Sequence, residues 1–232
     1  MIEEFCPGWF AGFDVVFQAV TVYVTLAVAI MGLRIHRFFG TERYKLHAEG
    51  FILLAASYTV LTIAKFAHLA GMLGVKGRPP GIGAAAILWF GNILLGAFFV
   101  SGLTLLTIAY LRVKDRVQRT LLLVFAIMAS LIATFDPRPW AFSLLHTLTG
   151  TLLIFIIVRL LKNPKKNRNS YLVIIAFISL VIGEALTSAM HLINSQALYV
   201  LSNSMTLAGY VLILVSLSTC GRHEKKQSRT HP

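Results

Sequence analysis

Six ionisable side chains lie inside long apolar runs of the sequence, where a charge is costly. They are Asp14, Lys65, His68, His146, Glu184 and His191. A charged residue inside a membrane-spanning segment costs about 2.5 to 3.5 kcal/mol on insertion scales, so each is by default a sign of ligand binding, ion coordination or proton transfer. Because an unpaired buried charge is also unfavourable, we expect Lys65 to neutralise Glu184 or Asp14, with the histidines around them.

The spacing of these residues is consistent with shared helix faces. Lys65 and His68 are three residues apart, and Glu184 and His191 are seven apart, so two helices would each present a polar stripe. At about 1.5 Å per residue, Glu184 lies nearest the middle of its apolar run, and the others lie between it and one edge. The alternative is that these residues only hold helices together or face a water-filled vestibule, with Lys65 extending its amine towards the surface.

A metal site is a sharper interpretation of the histidines. His68, His146 and His191 provide three imidazoles at similar depth, and Asp14 or Glu184 is a possible fourth ligand. Haem held between two of the histidines is a second possibility. The three residues belong to separate helices and form neither an HxxxH nor an HExxH pair, so the identity of any cofactor stays open.

Two asparagines form a further polar pair. Asn92 and Asn203 each follow a small residue inside an apolar run. Amides in such positions often form hydrogen bonds between helices. A role in helix packing and a contact to a ligand are both open.

The elements that carry these residues are predicted to be membrane-spanning helices. The chain has 232 residues, of which 57% are hydrophobic, whereas soluble domains have about 45 to 50%. A helix needs about 20 apolar residues to cross the hydrocarbon core. The sequence therefore predicts an all-α, seven-helix bundle over residues 1–219, with spans at 13–33, 50–71, 83–111, 120–135, 140–161, 171–193 and 198–219.

The basic residues predict the orientation of this bundle. Of the 21 lysines and arginines, 17 fall in segments 34–45, 112–119, 159–168 and 222–229, which alternate with segments that hold three, and Lys65 lies inside a span. Since short cytoplasmic loops are enriched in basic residues, the N-terminus is expected outside the cell membrane, with 220–232 as a basic cytoplasmic tail. The net charge of +12 is explained by this topology, without a nucleic-acid partner. Tyr199 and Tyr110, at opposite span boundaries, are expected in interfacial belts.

The two halves of the predicted bundle differ. All six ionisable residues fall in the outer half, whereas the inner half carries hydroxyls such as Ser57, Thr107 and Ser216, which can bond back to their own helices. Spans one to three also echo spans five to seven, because histidines end the second member of each triplet and asparagines lie in the third. A three-one-three repeat is therefore a further hypothesis.

The seven spans and the polar second helix, from Ser57 to Leu69, resemble the seven-transmembrane sensor-type membrane proteins of prokaryotes, although the output domain usual in them is not expected here. The layout is also similar to that of the SWEET sugar transporters, but their helix-breaking prolines are missing, since all seven prolines lie outside the predicted spans. The last span has no lysine that could bind retinal as in microbial rhodopsins. The paired histidines of one late helix that alkaline ceramidases carry are absent as well.

These observations favour an outward-facing pocket that binds or senses a small ligand or ion, with a cytoplasmic or membrane protein as partner for any signal. The ligand-binding residues would be Asp14, Lys65, His68, Asn92, His146, Glu184, His191 and Asn203. A small-solute or ion transporter is the alternative, although it would need a polar route through the apolar inner half. A metal-dependent intramembrane enzyme is a third possibility, which only the scattered histidines support.

Overall fold

The computed structural model describes residues 11–74, 82–135, 139–162, 168–193 and 195–227. Over these residues the fold is all-α, and seven helices are long and apolar enough to cross a membrane. This confirms the predicted class and helix number and indicates a multi-pass membrane protein surrounded by lipid. The helices are α1 (Ala11–Phe39), α2 (Glu42–Gly74), α3 (Ile82–Leu111), α4 (Arg116–Phe135), α5 (Pro139–Leu161), α6 (Arg168–Ile193) and α7 (Gln196–Gln227).

Several helices extend beyond the predicted spans, chiefly at their charged ends. Helix α1 continues to Phe39, α2 begins at Glu42, and α7 continues to Gln227. Hydropathy marks only the part of a helix that lies in the hydrocarbon, whereas Lys, Arg and Glu also favour helix and allow it to continue into water. Gly40 ends α1 with a φ of 64°, and its N–H donates to the carbonyl of His36 at 2.7 Å, as in a left-handed helix cap.

The helices form a ring in chain order. Each helix packs against the next, α7 packs back against α1, and α3 also contacts α5. Helix α3 is the most buried and α4 the most exposed of the seven. Successive helices are antiparallel. One end of the bundle therefore holds the starts of the odd-numbered helices α1, α3, α5 and α7 together with the ends of α2, α4 and α6. We call this the Asp14 end, and the opposite one the basic end.

Small residues let helix backbones touch in two of the hairpins. A Cβ at Gly102 would lie 2.8 Å from the carbonyl oxygen of Gly50, which brings α2 and α3 into direct contact. A Cβ at Gly209 would lie 2.9 Å from the carbonyl oxygen of Ala176, which does the same for α6 and α7. Such close approach is typical of membrane helix pairs, where packing rather than hydrophobic burial drives association.

Aromatic rings run through the core of the half of the bundle nearer the basic end. We call them the aromatic layer, and neighbouring rings within it have centroids 4.9 to 6.2 Å apart. Its members form one continuous chain of contacts in the order Phe99, Tyr58, Tyr210, Phe51, His47, Tyr110 and Phe177. The placement of Tyr110 in an interfacial belt was wrong, since its ring is buried between His47 and Phe177.

The hydroxyl groups of this half do not all behave as predicted. Thr107 does donate to a carbonyl of its own helix, that of Leu103, at 2.8 Å. Ser57 instead donates to Leu95 of α3 at 3.1 Å, and Ser216 to Asn169 of α6 at 3.3 Å. The prediction was wrong for these two because neighbouring helices approach closely enough to offer a carbonyl.

Candidate functional site

A cavity of about 190 Å³ lies in the half of the bundle nearer the Asp14 end. All seven helices contribute to its lining, and Tyr58 and Phe99 of the aromatic layer form its floor. From Ser57 to Lys65 the cavity follows α2 for eight residues, which corresponds to about 12 Å along the helix. The bundle is therefore hollow on the side where the sequence placed its ionisable residues.

One side of the cavity is built around Lys65. Its Nζ donates to Asp14 Oδ2 at 2.5 Å and to the Tyr199 hydroxyl at 2.7 Å, joining α2 to α1 and α7. The side chains of Lys65 and Asp14 are 12% and 5% exposed. Asp14 is thus the carboxylate that neutralises Lys65. The assignment of Tyr199 to an interfacial belt was wrong, because the residue is buried and bonded to the lysine.

The amides of Gln18 and Asn203 extend this cluster. Gln18 Nε2 donates to Asn203 Oδ1 at 3.1 Å, and Asn203 Nδ2 donates to the Tyr199 carbonyl at 2.9 Å. Polar contacts therefore run without a break through Asp14, Lys65, Tyr199, Asn203 and Gln18. These five residues fix the relative positions of α1, α2 and α7 along one wall.

The opposite wall is built around Glu184 of α6. Its Oε2 lies 2.8 Å from His146 Nδ1 and accepts from the Thr149 hydroxyl at 2.6 Å, both on α5. Glu184 is 6% exposed. The second oxygen, Oε1, receives no hydrogen bond from the residues that the structure describes. Glu184 therefore has its own donors, and does not share Lys65 with Asp14.

Two further acceptors are buried without a donor. Asp14 Oδ1 and Gln18 Oε1 have no hydrogen-bond partner within the described part of the chain. An unsatisfied buried acceptor costs about 1 to 3 kcal/mol, so water or a ligand with N–H or O–H groups is expected to reach it. Gln18 is also one of the residues that line the cavity.

The structure brings most of the predicted site residues together. Asp14 lies behind Lys65, and the other members with described side chains line the cavity, namely Lys65, Asn92, His146, Glu184 and Asn203. Asn92 and Asn203 face the same space, where Asn203 bonds Gln18. His68 and His191 belong to helices α2 and α6, but their side chains lie outside the described residues.

The metal site stays a prediction. Among the described side chains no group of three His, Cys, Asp or Glu residues could hold a metal ion. Of the three histidines invoked, only His146 has a described side chain, and its Nδ1 faces a carboxylate.

Sequence reasoning missed three contributors to the site, namely Gln18, Thr149 and Tyr199. For Gln18 a signal was present, because Asp14, Gln18 and Thr21 recur at the four- and three-residue spacing of one helix face. Thr149 similarly follows His146 by three residues. Tyr199 had no such signal, since a tyrosine near a span boundary is usually interfacial.

Comparison with family models, curated proteins and solved structures finds no match to this chain. The predicted resemblance to prokaryotic seven-span sensor-type proteins therefore stays a prediction. The architecture itself defines the class of the protein. It is a multi-pass membrane protein of seven helices with a polar cavity inside the bundle.

Proposed function

We propose that the protein is a cell-membrane binding protein of the receptor or sensor kind, which takes a small ligand into the cavity. The observation that carries this proposal is the convergence of Lys65, Asn92, His146, Glu184 and Asn203, from five helices, on one space. Each such residue is expensive inside an apolar bundle. A concave site with a few oriented polar groups is also the usual form of a small-molecule site.

The cavity would open to the outside of the cell, with the N-terminus outside and the C-terminus in the cytoplasm. The support for this orientation is the 17 to 3 distribution of basic residues between alternate segments. The described parts of the segments rich in lysine and arginine lie at the basic end, away from Lys65 and Glu184. A cytoplasmic or membrane partner that responds to the ligand would contact this basic end.

The aromatic layer favours binding over transport. Tyr58 and Phe99 close the cavity floor, and Tyr210 and Phe51 fill the bundle below them with less than 2% of either side chain exposed. A transporter would have to open this layer in each cycle. Transport remains the runner-up function, and uptake into proteoliposomes that is lost in Glu184→Gln would support it over a purely sensory role.

A cavity-filling variant tests the binding function. Purified protein would be screened for ligands by thermal unfolding, because a ligand that binds the native state raises its apparent stability. Thr187 lines the cavity and donates to the carbonyl of Gly183 at 2.9 Å. We expect Thr187→Trp to fill the space and to abolish any stabilisation that the wild-type protein shows.

The matched control is Thr151→Trp. Thr151 is exposed on α5 and donates to the carbonyl of Thr147 at 2.8 Å, so it has the same local bond outside the cavity. Stabilisation should persist in this variant. Equal retention of ligand-induced stabilisation in Thr187→Trp and Thr151→Trp would remove the cavity as the binding site.

A further inference from the structure

We infer that the ligand is a small organic cation with ammonium N–H groups, an inference that rests on the proposed function and names its ligand class. The first support is the charge around the cavity. Of the side chains that the structure describes there, Asp14 and Lys65 neutralise each other. Glu184 adds one negative charge, which His146 balances only when its imidazole is protonated. With a neutral imidazole at His146, one monovalent cation would complete the balance.

The second support is the state of the Glu184 carboxylate. Both of its donors, from His146 and Thr149, reach Oε2. Oε1 is left available to a ligand, and the residue lines the cavity. A carboxylate held by neighbours on one oxygen and open on the other is oriented to accept a charge-assisted hydrogen bond, which is about twice as strong as a neutral one.

The opposite wall adds a second acceptor. Gln18 Nε2 is committed to Asn203, so the amide orientation fixes Oε1 as the remaining group. This oxygen is buried and has no donor among the described residues. An ammonium group carries several N–H donors, so it can serve Glu184 directly and reach Gln18 directly or through water.

The apolar part of the lining also suits an organic cation. Phe17, Tyr58 and Phe99 all contribute to the cavity surface, whereas the Tyr199 ring already carries the Lys65 ammonium group 5.3 Å from its centroid. Aromatic faces attract a cation by about 0.5 to 2 kcal/mol, depending on how far the cation is desolvated. They also pack against the hydrocarbon of an organic ligand, which a hydrated inorganic ion lacks.

Lys65 does not make the cavity a site for anions. Its ammonium group already contacts Asp14 Oδ2 at 2.5 Å and the Tyr199 hydroxyl at 2.7 Å. An incoming carboxylate would have to compete with Asp14, which is itself buried and would lose its counterion if it were displaced. The volume of about 190 Å³ exceeds that of an engineered cavity of about 150 Å³ that binds benzene, so a one-ring or short-chain molecule fits.

Three probes of one shape test the charge requirement. They are 2-phenylethylammonium, the neutral 2-phenylethanol and the anionic phenylacetate, each titrated against the purified full chain while thermal unfolding is followed. We expect the ammonium probe to stabilise the protein, with an apparent affinity at least about tenfold higher than that of the alcohol, and phenylacetate to have no effect.

Two carboxylate variants locate the charge that matters. Glu184→Gln should weaken binding of the ammonium probe by about tenfold to a hundredfold, as expected when a hydrogen bond to a charged group is lost. Glu49→Gln is the control, because Glu49 pairs with Lys45 at 3.8 Å on the exposed surface towards the basic end. Its affinity should equal that of the wild-type protein.

The outcomes separate this inference from the proposed function. Equal stabilisation by the alcohol or the carboxylate, or an unchanged affinity in Glu184→Gln, overturns the cation class while a binding cavity remains. The cation class is also overturned if none of the three probes stabilises the protein while the screen yields a non-cationic ligand whose binding is lost in Thr187→Trp. A failure of every ligand in that screen overturns the binding function itself. The three-probe comparison needs only the wild-type protein, so poor folding of Glu184→Gln would not prevent the test.

Discussion

The cavity and the aromatic layer occupy neighbouring halves of the same bundle and are built in opposite ways. Around the cavity, polar side chains reach across helices, as in Lys65 to Asp14, and they leave space between them. In the aromatic layer, rings such as Phe51 and Tyr210 pack edge to face and are almost fully buried. Around the cavity, long polar side chains bridge helices that stay apart. In the packed half, glycines allow neighbouring helix backbones to touch. Under the proposed function, the first half admits a molecule and the second half holds its shape.

Removing a carboxylate at each end of the bundle should give the largest difference between the two regions. Asp14→Asn leaves Lys65 buried without its counterion, and we expect it to lower the free energy of unfolding by about 3 to 5 kcal/mol. Glu42→Gln removes the partner of Arg119 at the basic end, where Glu42 is 64% exposed. That loss should be much smaller, since solvent and salt screen an exposed pair.

Denaturant titration in detergent would measure both variants, with the midpoint and slope fitted separately. Added salt sharpens the test, because it should weaken the Glu42 pair and leave the Asp14 pair largely unchanged. The double variant Asp14→Leu with Lys65→Met should recover most of the lost stability, since no uncompensated charge remains. Equal losses in Asp14→Asn and Glu42→Gln would mean that water screens the Lys65 pair as well.

The two regions also differ in how far the sequence predicts them. Apolar run lengths located all seven helices, and depth along those runs placed Lys65, His146 and Glu184 in one half, where they do line one cavity. The choice between Asp14 and Glu184 as partner of Lys65 depends on how each helix is rotated in the ring. A single sequence does not specify that rotation. The aromatic layer escaped prediction because a phenylalanine inside a span is equally suited to lipid and to the core.

Closing the glycine contact in the packed half should have an intermediate effect. In Gly102→Ala the new Cβ would lie 2.8 Å from the Gly50 carbonyl oxygen, a backbone atom of α2 that moves only with its helix. We expect a loss of about 1 to 3 kcal/mol in the free energy of unfolding, as for overpacked cores. Affinity for a cavity ligand should change less than stability, because the contact lies at the level of the aromatic layer and not beside the cavity.

The control is Gly12→Ala near the start of α1. A Cβ at Gly12 meets no atom within 4 Å, so the substitution should be neutral or stabilise by up to about 1 kcal/mol through helix propensity. A neutral result at Gly102 as well would show that α2 and α3 can separate there without loss. The packing of α2 against α3 would then be more adaptable than the short Gly50–Gly102 contact indicates.

The smallest predicted effect lies at the boundary between the two regions, where the hydroxyls of Tyr58 and Tyr210 are 3.3 Å apart. Tyr58 lines the cavity, so in Tyr210→Phe its hydroxyl can turn to water and the loss should be about 1 kcal/mol or less. Tyr210 lies below it, 1% exposed, and in Tyr58→Phe its hydroxyl would be left without a partner.

We therefore expect Tyr58→Phe to lower the free energy of unfolding more than Tyr210→Phe, by up to about 2 kcal/mol, although each variant removes one hydroxyl group. Thermal unfolding would resolve this difference, since about 1 kcal/mol shifts the midpoint by about 2 to 4 °C in a protein of this size. Tyr23→Phe, at a side chain that is 73% exposed, should leave the midpoint unchanged. Equal costs for the two buried tyrosines would place water on both sides of the pair, and the floor of the cavity would then lie deeper than Tyr58.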